Sequence, residues 1–222
     1  MIVATPALLI SATAITYSYS LSLYENGFSK YNISWVTGIN PEQLHQAAGA
    51  LIDYFKKLRD TPQIRVTIKG KELNLYSEKE LLHLKDVRDI IDMFRTILIV
   101  SAVLLLSSGA LLLYQKRYVE LLNGLKIGCV LTFTGISIIV LWSLVDFDSL
   151  FYLFHIVSFS NNLWLLDPQK DYLIMMFPEG FFNDAAISLV ITIMMEAVII
   201  FIIAILFQKI SGKTTINKVQ KI

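Results

Sequence analysis

The sequence predicts an all-α membrane protein with four transmembrane helices, both termini cytoplasmic, and a small α+β extracytoplasmic cap. Three observations carry that prediction. Hydrophobic residues make up 55% of the 222-residue chain, and the mean hydropathy is +0.60, far above an ordinary soluble domain. Four apolar runs approach the roughly 20 residues a helix needs to cross about 30 Å of hydrocarbon. Basic residues gather in two short segments that alternate with longer, acidic or charge-balanced ones.

The spans are expected at about 2–23, 97–114, 127–145 and 185–207, within one integral membrane unit covering 1–222. No Lys or Arg precedes the first run and no small-residue cleavage site follows it, so it reads as a retained helix rather than a secretory signal. Orientation comes from the basic segments. Lys116, Arg117 and Lys126 face only Glu120 between the second and third spans, and the tail carries Lys209, Lys213, Lys218 and Lys221 without an acid. Both segments are expected to be cytoplasmic. Residues 24–95 and 146–184 then form the outer cap, and the second of these is acidic, with Asp146, Asp148, Asp167, Asp171, Glu179 and Asp184 against Lys170 alone. The net charge of +1 argues for neither a nucleic-acid partner nor an acidic substrate.

Within the first outer segment, Asn40-Pro41 supplies an N-cap and a first-turn proline, and Leu44, Ala48, Leu51, Ile52 and Phe55 recur at helical spacing. A cap helix over 41–59 is the expectation. QIRVTIKGKELNLYS alternates on either side of Lys69-Gly70, the pattern of a short hairpin that must rest on a neighbour. Ser77 with Glu80 forms a capping box, opening a helix that should run unbroken into the second span and align His83, Val87, Ile91 and Phe94 on one stripe. The second outer segment reads as two short helices, one capped by Asp148-Ser149 and ending near Asn161-Asn162, the other opening at Asp167-Pro168 and ending at Pro178-Glu179-Gly180.

Two histidines on separate outer segments are the candidate catalytic groups. His155 sits in YLFHIVSFSNNLWLLDP, where a helix would place it with Phe151, Tyr152, Ser158 and Phe159. His83 has Glu80 and Asp86 three residues to either side as possible orienting acids. Imidazoles titrating near 6.5 can divide acid and base work at neutral pH. The competing reading is a pair of ordinary interfacial histidines. His45 reads as a half-exposed surface residue with only Glu42 in helical reach.

Cys129 is the one cysteine, so no intramolecular disulfide can form, and it reads as an apolar packing residue. Glu196 lies mid-span, where a protonated carboxyl bonded to Thr or Ser of a neighbouring helix is the simplest account. A metal site built from His83, His155 and Asp86 or Asp167 has no support in ligand spacing, and phosphate loops and nucleophile elbows are missing from the sequence. No metal and no cofactor are expected.

SEKELLHLKDV, FYLFHIVSF, WLLDP and DYLIMMFPEGFF together resemble the lipoprotein intramolecular transacylase family, Lit, of Gram-positive bacteria. The match is most specific at His83 with Asp86-Val87, at His155, and at Trp164 with Asp167-Pro168. The resemblance implies transfer of the sn-2 acyl chain of a diacylglyceryl-modified cysteine to its own α-amino group, giving a lyso-form lipoprotein, with His83 and His155 as the catalytic pair. It implies Asp86, Glu80 and Asp167 as supporting groups and Phe151, Tyr152, Phe159, Trp164 and Phe181 as the aromatic walls of a substrate site on the outer face of the bacterial cell membrane. Partners would be diacylglyceryl-modified lipoproteins and membrane lipid, with no nucleic acid. Ester to amide is downhill and the donor is already on the substrate, so neither carrier nor nucleotide is needed. The alternative class is a non-catalytic membrane module binding lipid or a partner protein through its outer cap.

Overall fold

A computed structural model describes residues 1–219, with side chains to residue 210. The elements in order are α1 (Ala4–Ser18), α2 (Leu21–Lys30), α3 (Ile33–Thr37), α4 (Pro41–Phe55), β1 (Arg65–Ile68), β2 (Lys71–Asn74), α5 (Glu78–Tyr114), α6 (Tyr118–Val145), α7 (Phe147–Ser158), α8 (Tyr172–Met176) and α9 (Glu179–Val219). The chain is therefore mostly helical with one small sheet. The described residues divide into two compact units, one of 1–13, 94–145 and the chain from 189 on, the other of 14–93 and 146–188.

In the first unit, α5, α6 and α9 are each long and apolar enough to cross a membrane. The first apolar run departs from expectation. Instead of one helix over 2–23, α1 stops at Ser18, and Ser20 adopts an extended conformation and caps α2 by accepting a hydrogen bond from Leu23 N at 3.3 Å. A serine hydroxyl offers the backbone an alternative to helix continuation, and the 15 residues left in α1 rise only about 22 Å, short of a 30 Å core. Leu9, Cys129, Ile136, Ile193 and Ala197 form this unit's core. Gly128 is obligatory there, because a Cβ would lie 2.6 Å from that of Thr5. Glu196 accepts a hydrogen bond from Thr13 Oγ1 at 3.1 Å, the kind of partner the sequence suggested. Among the tail lysines used to orient the chain, Lys213 and Lys218 lie beyond the described side chains and Lys221 lies outside the described residues.

The second unit is built around α4. Asn40 accepts from Gln43 N at 2.8 Å as the N-cap, and Leu44, Ala47, Ala48, Leu51 and Ile52 are buried along the inner stripe. The helix ends at Phe55 rather than residue 59 because Lys57 takes a left-handed φ of 63°, which terminates an α-helix. β1 and β2 pair antiparallel, with Ile68 opposite Lys71. Lys69 and Gly70 both have positive φ, 50° and 79°, the signature of a type I′ turn. The hairpin rests on the core through Val66 and Leu75, both fully buried.

Two helix boundaries in the second outer segment differ from the sequence reading. Asp146, not Asp148, caps α7, accepting from Ser149 N at 3.0 Å. Asp167-Pro168 opens a turn rather than a helix and α8 begins only at Tyr172; it ends at Met176, just before Pro178 as expected, but the same Pro178 also opens α9. Proline's fixed φ and missing N–H suit a helix start, so Pro178-Glu179 was the better start signal of the two.

Candidate active site

The Ser77 capping box starts α5 and so sets the height and direction of His83. Ser77 N donates to Glu80 Oε2 at 2.6 Å, and Glu80 N donates to Ser77 Oγ at 3.4 Å. His83 follows one turn later and is 7% exposed. α7 supplies His155, 8% exposed, one turn after Phe151. The two imidazoles face each other with ring centroids 6.4 Å apart and an interplanar angle of 30°.

Aromatic rings enclose the pair. Phe159 contacts both, its centroid 5.1 Å from His83 and 5.6 Å from His155. Phe151, Trp164 and Phe154 approach His155 at 4.3, 4.9 and 5.4 Å, and Tyr152 packs edge-on against Trp164. Of the expected aromatic wall, Phe151, Phe159 and Trp164 touch a histidine directly and Tyr152 stands behind Trp164. Phe181 does not reach the histidines. It packs with Tyr24 and Phe177 in the unit's core and edge-on against the exposed Phe182.

The two rings are held differently. His155 Nδ1 lies 2.7 Å from Phe151 O, and since a carbonyl can only accept, Nδ1 carries the proton and Nε2 of the neutral ring keeps its lone pair. His83 Nδ1 is buried without a hydrogen-bond partner. Burial lowers the pKa of His155, opposed by its bond to Phe151. Burial, then the neighbouring His155, push that of His83 down to about 4 against the attraction of Asp86. Both imidazoles are therefore neutral at neutral pH, and the resting site holds no imidazolium. The reason is desolvation inside an aromatic shell.

The supporting acids separate into three roles. Glu80 is 1% exposed, and its second oxygen accepts from Leu173 N at 2.6 Å; both oxygens are spent on backbone, joining α5 to α8, and none faces His83. Asp86 accepts from Asn161 Nδ2 at 2.9 Å and acts on His83 through its charge. Asp167 is half-exposed, pairs with Lys170 at 3.5 Å and takes Gln169 N at 2.9 Å, closing the turn at Pro168. His45 pairs with Glu25 Oε1 at 2.6 Å, an acid from α2 that helical spacing could not reveal.

Sequence reasoning missed two positioning groups. Asn161 ties the 159–171 connection to α5 through Asp86 and accepts from Leu163 N at 2.9 Å. Lys79 Nζ donates to Leu165 O at 2.5 Å, fixing the same connection one residue beyond Trp164. From sequence, the Asn161-Asn162 pair signals only a helix end. Among the described residues, no three His, Cys, Asp or Glu side chains group closely enough to hold a metal ion.

The chain's fold is similar to solved structures of the membrane integral lipoprotein intramolecular transacylase Lit from Bacillus cereus. One matches with a TM-score of 0.79 at 22% identity over 96% of this chain and 93% of the other. Two more, of the same protein with one histidine replaced by arginine or by alanine, match with TM-scores of 0.77 and 0.76 at 21% identity, each over 95% of this chain and 90% or 91% of theirs. No curated protein sequence matches the chain. The family model for lipoprotein intramolecular transacylases matches residues 1–182, which takes in both histidines and nearly all of the second unit. The chain therefore belongs to the Lit family of membrane-integral transacylases in lipoprotein maturation.

Proposed function

We propose that this protein moves the sn-2 acyl chain of a diacylglyceryl-modified lipoprotein cysteine onto the same cysteine's α-amino group, using His83 and His155. The supporting observation is the pair of buried imidazoles 6.4 Å apart. One ester placed between them can lie within a hydrogen bond of about 3 Å from each.

The tautomer of His155 suits it to the part of the base. The substrate amine, with a pKa near 8, is mostly protonated at neutral pH, and Nε2 of His155 is free to take a proton from it. The amine nitrogen then attacks the ester carbonyl carbon. His155 releases this first proton to water, takes a second from the attacking nitrogen as the C–N bond forms, and passes it to the departing glyceryl oxygen as the C–O bond breaks, so the ammonium loses two protons, one to solvent and one to the glycerol. His83, neutral, donates its N–H to the oxygen on which negative charge develops. Simultaneous protonation of both rings is opposed by their mutual repulsion. Phe151 O stabilises the transient His155 cation, and Trp164 over the ring face adds a cation–π contribution.

The reaction closes a ring of about eight atoms, so holding the substrate folded is the main entropic demand. Phe151, Phe159, Trp164 and Tyr152 supply rigid walls for that, and Asn161 and Lys79 hold the connection that carries Trp164. The basic segments around Lys116 and Lys126 support a cytoplasmic α5–α6 connection and hence an outer-face site. In that arrangement α9 ends on the cytoplasmic side, and a fourth crossing, with both termini cytoplasmic, needs α1 together with the residues that flank it.

Mass spectrometry of lipoprotein N-terminal peptides, from cells with and without the chain, tests the reading. The expected result is one acyl group moved from glycerol to nitrogen at constant total mass. An unchanged acyl distribution refutes it.

A further inference from the structure

A cavity of about 360 Å³ lies between α2 and the N-terminal end of α9, within the volume range of small-molecule sites. Leu23, Phe181 and Ile187 give it apolar walls, while Asn26, Lys30 and Asp184 give it amide, ammonium and carboxylate groups. We propose that it binds a zwitterionic aminophospholipid, with the headgroup phosphate on Lys30 and the headgroup ammonium on Asp184. The proposal stands independently of the histidine chemistry.

The chain order around the cavity gives it two unlike ends. Tyr17 Oη donates to Ser188 O at 3.0 Å, and at the other end Lys30 Nζ and Tyr31 Oη both donate to Asp184 Oδ2, at 2.6 and 2.7 Å. The charged pair therefore marks one end, and the other lies where the apolar run of α9 begins. A molecule with a charged head and hydrocarbon tail matches that gradient. Gly27 allows the wall to close, since a Cβ there would lie 2.3 Å from the Phe181 ring. Gly180 does the same for Tyr31, whose hydroxyl would be 2.7 Å from a Cβ.

The charges select the headgroup. Lys30 and Asp184 side chains are 60% and 40% exposed, so each can exchange its partner for a ligand group without a large change in burial. A purely anionic headgroup would bring its phosphate to Lys30 beside an opposing carboxylate. A headgroup carrying phosphate and primary ammonium answers both charges, leaves Tyr31 on Asp184, and offers the Asn26 amide a phosphate oxygen.

Native mass spectrometry of the full-length protein in detergent, with dioleoyl phosphatidylethanolamine, dioleoyl phosphatidylglycerol or inorganic phosphate added, tests this. Phosphatidylethanolamine should be retained over phosphatidylglycerol, and Lys30→Gln or Asp184→Asn should each weaken its retention about tenfold, as expected for one charged hydrogen bond. Asn26→Leu, which leaves the ion pair intact, should weaken it less and guards against variants that misfold. Equal retention of the two lipids, indifference to Lys30→Gln and Asp184→Asn, or displacement of the lipid by inorganic phosphate would each overturn the proposal.

Discussion

Replacing Glu80 separates a structural role from a catalytic one. Glu80 stands one turn before His83, yet its oxygens accept from Ser77 N and Leu173 N, each at 2.6 Å, and it is 1% exposed. Each hydrogen bond to a buried charged group contributes about 1.5–3 kcal/mol. Glu80→Ala, which orphans both amides, should therefore destabilise the protein by about 3–6 kcal/mol. Glu80→Gln keeps one acceptor but turns an amide N–H toward the other backbone donor, and should cost about 3 kcal/mol, or about 6–12 °C in Tm for a chain of this size. Circular dichroism through a thermal ramp in detergent measures the loss, and amide exchange at Leu173 should accelerate in the same variant. Turnover per folded molecule should stay close to the parent value. A Gln variant that melts like the parent but turns over slowly would show that Glu80 acts through His83, and the reasoning from its hydrogen bonds would be wrong.

His83→Asn and His155→Asn should each reduce acyl transfer by about 10²–10⁴-fold with little change in far-ultraviolet circular dichroism. Both histidines are buried neutral with depressed pKa values, so the unfolded chain takes up protons first as the pH falls below about 6.5. Stability is then fully present above that pH and is lost on the way down to about 4, by about 3 kcal/mol from His83 alone; denaturant titrations at pH 7 and 4.5 check the direction, which His83→Asn should blunt. Trp164→Ala opens the shell over His155, so its pKa should rise toward the ordinary value and the acid limb of the pH–rate profile should move up with it. In the hairpin, Lys69 sits at φ 50° ahead of Gly70, and Lys69→Asn should raise stability by a few tenths of a kcal/mol because Asn-Gly suits a type I′ turn; an unchanged or lowered melting point would count against that turn assignment.

Much of the fold was legible because it rests on neighbours in sequence. The Asn40 cap, the Ser77–Glu80 box, the Lys69-Gly70 turn and the long apolar runs of α5, α6 and α9 are all interactions within a few residues or patterns with a fixed period. The errors fell where two local signals compete. Ser20 was hidden in an apolar run and broke the first helix, and Pro178 reads equally as a stop or a start until the residues after it commit to α9. Trp164 and Phe151 were picked out from the same aromatic cluster as Phe181, but which ring faces a histidine depends on how α7, α8 and α9 turn against one another.

The sequence by itself determined that this is a membrane protein with a separate polar cap, and it placed two histidines on segments that could meet. Only the tertiary structure decided that they do meet, since a 6.4 Å approach between rings on α5 and α7 depends on long-range packing that no local pattern encodes. The structure also decided their neutrality and the tautomer of His155. Burial by Phe159 and Trp164 removes the water that would stabilise an imidazolium, and one backbone carbonyl, that of Phe151, holds the proton on Nδ1 of His155 and leaves Nε2 free.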